Sequence, residues 1–344
     1  MKKILLLFTL FVVSIVAFAQ TTSLEVDCQN PGWLSSKIAY SDQKTLQNLK
    51  VTGYINGTDI RFIRELNTNL SLHGIIDLED ANIVSGGDSY YSDCVTVDNQ
   101  ITAYMFAYLD SIQKVVLPNS TIGFSNGFEF TNTYVDTLVI NGTMEQLSIG
   151  SSYNNIFWKT RCIYFPEGIT DLSLGYLFHP YANLNNIELF LPSTLKKITA
   201  SPYCIDVETV IHCSSTTPES IEDTNNTGQY GNYANIFRAG TIYVPMGTKA
   251  KYELSIFRNL TIIEDASTGI SHNLYNQKGI QAHGGIISVS GLADGQQIAI
   301  YQVDGKQVAT ARAYNGSANV TTNISKGNTV IVKIGDKAVK VMMR

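Results

Sequence analysis

The sequence predicts a mainly β protein, a solenoid of short stacked strands followed by a small β-sandwich, and three observations carry that expectation. Short runs with period-2 alternation of apolar residues recur between Lys114 and Pro245, at intervals of 21 to 32 residues. Four of the six runs end in proline, which cannot donate a backbone hydrogen bond and so stops a strand at a fixed place. After Asp265 the texture changes to alternating strands separated by Asp304-Gly305 and Gly335-Asp336, dipeptides that mark tight hairpins.

Taken in order, residues 1–19 read as a signal peptide. Lys2 and Lys3 precede an apolar run that ends in Ala17-Phe18-Ala19, the layout of a secretory leader. The run from Ile4 to Ala19 is shorter than the ~20 residues a spanning helix needs. A secreted protein without a transmembrane segment after cleavage is therefore expected. Residues 20–44 form an N-terminal segment. In the stretch that follows, VTGYINGTDIRFIREL and LSLHGIIDLEDANI read as an irregular opening repeat.

The repeats proper are KVVLP, TLVIN, CIYFP, ELFLP, TVIHC and TIYVP, ending at Pro118, Asn141, Pro166, Pro192, Cys213 and Pro245. Between them Phe128, Leu177, Phe178, Tyr203 and Phe237 recur at a similar place after each strand. One unit of this size cannot bury its apolar side alone, whereas neighbours stacked in register share a continuous core. The longest interval, before Pro245, reads as an insertion suited to binding. Residues 266–344 open with a stretch rich in small and polar residues and continue as short strands, consistent with a β-sandwich.

Leu184-Asn185-Asn186-Ile187-Glu188-Leu189-Phe190-Leu191-Pro192 and Ile112-Gln113-Lys114-Val115-Val116-Leu117-Pro118 resemble the repeat core of the BspA-type leucine-rich-repeat surface proteins of Bacteroidetes. Gly240 to Leu254 looks like the closing repeat of that family, a strand, a turn and a short helix bearing Tyr252. The resemblance spans about residues 45–265 and lacks proline at Asn141 and Cys213. Ile300–Val308, Lys326-Gly327, Val330–Gly335 and Lys340-Val341 resemble the C-terminal sorting domains of type IX secretion, with Asn328-Thr329 departing from the pattern. These resemblances imply a leucine-rich-repeat solenoid, secreted or at the outer-membrane surface. The implied role is non-catalytic recognition or adhesion toward a protein or glycan ligand. A structural surface or fimbria-associated component and a secreted carbohydrate-active enzyme on a β-solenoid are the alternatives.

Composition narrows the chemistry. A net charge of −5 with 15% charged residues leaves no basic stripe for phosphates, so no nucleic acid partner is expected. Five cysteines are too sparse for a disulfide scaffold, and most read as small core residues, with Cys204–Cys213 the first pairing to test for a bridge. There is no nucleophile elbow, Walker loop or zinc motif, and His73, His179, His212, His272 and His283 are scattered. No catalytic residue, metal or cofactor is therefore expected. Asp77, Glu79 and Asp80 read as a solvated loop, with a calcium loop or a glycosidase carboxylate pair as the rival reading, and Glu219, Glu222 and Asp223 in the insertion carry the same readings. The chain's 19 tyrosines suit a polar recognition surface, and Tyr90, Tyr91, Tyr153, Tyr230 and Tyr233, in Gly/Ser/Asn-rich stretches, are the candidate binding residues.

Overall fold

The computed structural model describes residues 22–125, 128–149, 160–174, 187–199, 209–223, 237, 240–265, 280–283, 285–290, 292–325, 328–335 and 337–343, and the chain they trace is mainly β. The alternating runs become the strands Ile112–Val116, Val135–Val139, Cys162–Tyr164, Ile187–Leu191, Thr209–Cys213 and Gly240–Val244, each paired in parallel with the next. Every second side chain faces inward. The register joins Val115, Leu138, Ile163, Leu189, Ile211 and Ile242 into one row whose members are all 0% exposed. Full burial of each is worth about 1.5–3 kcal/mol, and no unit reaches it without the neighbours on either side.

The prolines act where expected, just after the strand ends. Where the rung closes on Asn141 instead, its side-chain amide donates to Leu117 O at 3.0 Å, tying one rung to the next. The rung at Cys213 is displaced by one residue from its sequence alignment. Leu191 pairs with Cys213, so Ser214 rather than Cys213 stands where Pro192 does. The core enforces this, because a slip of one residue would turn buried Ile211 and Cys213 outward and bring His212 in.

The large sheet has eleven strands and reaches beyond the repeats at both ends. Thr22–Cys28 pairs in parallel with Leu46–Ile55, which pairs with both Ile75–Asp77 and Ala81–Ile83, and Thr261–Glu264 follows Gly240–Val244. The segment before residue 45 thus supplies the first strand. The opening stretch read as irregular also contains the helix Gly57–Thr68. A second parallel sheet holds Gln146–Ser148, Asp171–Ser173, Lys197–Thr199 and Glu222–Asp223, in chain order. Leu147, Leu172 and Ile198 from it share a core with Leu138, Ile163 and Leu189. Among the described residues no strand pairing joins the two sheets.

At the closing repeat, Tyr252 on the helix Lys249–Tyr252 is 0% exposed and its hydroxyl donates to Cys213 O at 3.1 Å and Ser215 O at 2.8 Å. Gly240 opens the neighbouring strand at φ +123°, and a Cβ there would lie 2.1 Å from Thr209 O, so only glycine fits.

Residues 280–343 form two antiparallel sheets, one of Ile280–His283, Ile286–Ser290 and Ser317–Thr321, the other of Gln297–Gln302, Gln307–Arg312, Thr329–Ile334 and Lys337–Met342. Ile287, Val289 and Val320 from the first and Ile298, Ile300, Val330 and Val332 from the second belong to one buried cluster, distinct from that of the parallel sheets. The hairpin at Asp304-Gly305 forms as read, with Gly305 at φ +85°.

Cys28, Cys94, Cys162 and Cys213 are free thiols. Cys28, Cys162 and Cys213 are buried in the manner of small core residues, and Cys213 makes no bridge to Cys204. Cys204 itself lies outside the described residues, as do the signal peptide, Leu177, Phe178 and Tyr203.

Candidate functional site

Two aromatic surfaces and one acidic cluster stand out. The first surface lies on the large sheet, on the face opposite the inward row. Alternate residues of a strand point to opposite faces, so the residues beside the leucines and isoleucines form an outer row. The register runs through Asp77, Val116, Val139, Tyr164, Phe190, His212, Tyr243 and Ile263. Val116 and Val139 are buried, the next four are half-buried, and Ile263 is exposed. Four rings stack across adjacent strands. Tyr164 and Phe190 are 4.1 Å apart, Phe190 and His212 4.2 Å, and His212 and Tyr243 5.0 Å, with planes within 15° of parallel. His212 Nε2 lies 2.7 Å from Glu188 Oε1 on the neighbouring strand, which fixes the ring's rotation. Cys213, adjacent to His212, faces the core, and burial pushes its thiol up, so the two make no nucleophile–base pair.

The second surface is a column of rings in the order Tyr108, Tyr91, Tyr104 and Phe128. Centroids are 5.6 Å apart for Tyr108 and Tyr91, 5.3 Å for Tyr91 and Tyr104, and 5.7 Å for Tyr104 and Phe128. The helix Gly57–Thr68 supplies its support. Arg64 is 8% exposed, and its Nη1 donates to Tyr104 O at 2.9 Å, Met105 O at 3.1 Å and Ala107 O at 2.9 Å. The guanidinium carbon sits 5.0 Å from the Tyr91 centroid. Burial draws the Arg64 guanidinium below its ordinary value, while burial and then Tyr108 push the Tyr91 phenol up. Tyr104 and Tyr108 are held at φ +59° and +58°, a region that disfavours a bulky side chain.

The acidic run is not a solvated loop throughout: Asp80 is exposed and Asp77 half-buried, but Glu79 between them is buried. Glu79 is 3% exposed, and burial, then Asp77 and Asp80, raise its carboxyl from 4.5 to about 7. Asp77 is also raised by burial, and Lys50 Nζ pairs with Asp80 Oδ2 at 2.7 Å. Among the described residues no three His, Cys, Asp or Glu side chains gather so as to ligate a metal. A pH dependence follows. Between pH 4.5 and 7 folded Glu79 keeps a proton that the unfolded chain has released, so stability is highest below 4.5 and is lost as pH rises through 7. The loss should be on the order of 2–3 kcal/mol at 1.36 kcal/mol per pKa unit. Urea denaturation at pH 5 and pH 8 should show it, and Glu79→Gln should remove most of the difference and be the more stable protein at pH 8.

Of the five tyrosines singled out in the sequence, Tyr91 is on the surface, in the column. Tyr90 is not: it is 4% exposed, and its hydroxyl is 2.8 Å from Thr102 Oγ1 and donates to Ala103 O at 2.5 Å. Strand alternation in Gly86–Tyr91 separates the two neighbours. Tyr153, Tyr230 and Tyr233 lie outside the described residues, as does most of the insertion before Pro245. Sequence reading missed Arg64, Tyr104 and Tyr108, which carry no local signal. It also missed the outer row, for which a signal exists: CIYFP, ELFLP and TIYVP each place a ring two residues before proline.

Fold and surfaces together define a mainly β chain of parallel repeats bearing preformed aromatic surfaces. Neither protein-family models nor curated proteins provide a match to it. No helix among the described residues is long and apolar enough to cross a membrane.

Proposed function

We propose that this chain is an exported leucine-rich-repeat solenoid that recognises a protein partner across the outer face of its large sheet, with adhesion at or outside the cell surface as its use. The observation that supports this is the register of Tyr164, Phe190, His212 and Tyr243, four rings from four repeats in one line. Interior packing does not require them, because the inward row already fills the core. Rings on a rigid sheet offer contact area at low entropic cost, and spreading them over successive repeats suits an extended partner. On this reading the two parallel sheets are two sides of one solenoid. The leader and the C-terminal antiparallel sheets, read as a sorting domain with a sandwich fold, serve delivery.

The test compares protein lacking residues 1–19 with a Tyr164→Thr/Tyr243→Thr variant, using a panel of matrix and bacterial-surface proteins in a surface-binding assay. Threonine keeps the strand preference while removing the outer rings. Saturable binding of a panel protein, about tenfold or more weaker in the variant, is expected. Absence of saturable binding to the whole panel, or equal binding by both proteins, overturns the reading.

A further inference from the structure

The tyrosine column is built from other residues than the sheet-face row, and its backbone points to a separate use. In the next repeat the place of Tyr108 is taken by Asn132: Phe106 stacks on Phe130 at 5.2 Å, and Tyr108 N–H donates to Thr131 O at 2.8 Å. Asn132 has φ +50°, and asparagine is an ordinary choice for a left-handed position. Tyr108 adopts φ +58° with a side chain poorly suited to it. The turn therefore does not explain the tyrosine. Strain of this kind is tolerated where the surroundings impose it, and Arg64 does so by gripping the carbonyls at 104, 105 and 107.

The order of the column sets what is left for a ligand. Among the described residues Tyr91 and Tyr104 each have rings on two sides, whereas Tyr108 has Tyr91 alone and is 44% exposed. Among the described residues no ring covers the other face of Tyr108, at the end of the stack. The Arg64 guanidinium, 5.0 Å from the Tyr91 centroid, already occupies the stack's attraction for positive charge and repels a second cation. A quaternary ammonium or lysine ligand is therefore disfavoured. A polyproline segment needs a succession of open grooves between aromatic rings, and here the inner rings cover one another. A single pyranose fits, laying its C–H face on the ring while its hydroxyls meet the phenol.

We propose that Tyr108, backed by Tyr91 and held by Arg64, is a stacking platform for one pyranose ring of a glycan. The test uses protein lacking residues 1–19 on a printed array of neutral and sialylated oligosaccharides, followed by titration of the strongest glycan. Tyr108→Asn places at this turn the residue that the chain itself uses one repeat later, so folding should be unharmed, which thermal melting checks. The expected result is saturable glycan binding that weakens about tenfold in Tyr108→Asn and stays within about threefold in Tyr108→Phe, since the ring face carries the contact. Tyr164→Thr/Tyr243→Thr should bind glycan as the parent does, so a failed protein-binding result and a failed glycan result can be told apart. Lack of binding to every glycan, equal binding by Tyr108→Asn, or preferential binding of an oligoproline control overturns the proposal.

Discussion

Asp59→Ala is expected to destabilise the protein by roughly 4 kcal/mol, because it strands three backbone donors at once, each worth about 1–3 kcal/mol when left unsatisfied. Asp59 is 1% exposed and holds the N-terminal segment against the helix that follows it. Its Oδ2 accepts from Asn56 N at 3.0 Å and Gly32 N at 2.5 Å, and its Oδ1 accepts from Leu34 N at 2.9 Å. The first of these is half of a capping box, in which Asn56 Oδ1 in turn accepts from Thr58 N at 3.0 Å. Losing the carboxylate thus frays the helix Gly57–Thr68 and detaches residues 32–34 in one step. Urea denaturation measures the effect. Asp59→Asn, which keeps the shape and one acceptor oxygen, should fall between the parent and the alanine variant, and a loss below 1 kcal/mol for alanine would sink this account.

Arg64→Met should cost a similar amount, roughly 4 kcal/mol, since charge-assisted hydrogen bonds contribute about 1.5–3 kcal/mol each and the carbonyls they satisfy sit in the interior. Methionine replaces the apolar stem but offers no donor. Met105 and Ala107 are 0% exposed, so water does not readily replace the guanidinium at their carbonyls. The same change should loosen Tyr91, Tyr104 and Tyr108 together. The near-ultraviolet circular dichroism of the tyrosines should shrink in the folded variant, a readout that simple destabilisation does not move. An unchanged spectrum with a stability loss under 1 kcal/mol would show that Arg64 does not organise the column.

How much of this was legible in the chain differs from feature to feature. The rungs ending in Pro118, Pro166, Pro192 and Pro245 and the hairpin at Asp304-Gly305 were readable because alternation, proline and Asp-Gly act within a few residues. The helix Gly57–Thr68 left a readable trace that was passed over: Asn56 with Asp59 three residues on, then Ile60 and Ile63 at helical spacing. The displacement at Cys213 was not readable, because TVIHC carries no proline and only the buried pairing of Leu191 with Cys213 chooses the register. The tyrosines divided for a similar reason. Tyr90 and Tyr91 are neighbours in one Gly/Ser-rich stretch, and pleating sends one inward and the other onto Tyr104 and Tyr108.

By itself the sequence determined where the six rung strands stop, that they repeat, and that the texture changes after Asp265, because these depend on rules spanning two to four residues. The tertiary structure alone decided that four successive repeats feed two parallel sheets, that the rings of Tyr164, Phe190, His212 and Tyr243 meet, and that Arg64 braces a loop forty residues away. Those outcomes depend on which distant segments share a core, and no local pattern encodes that choice.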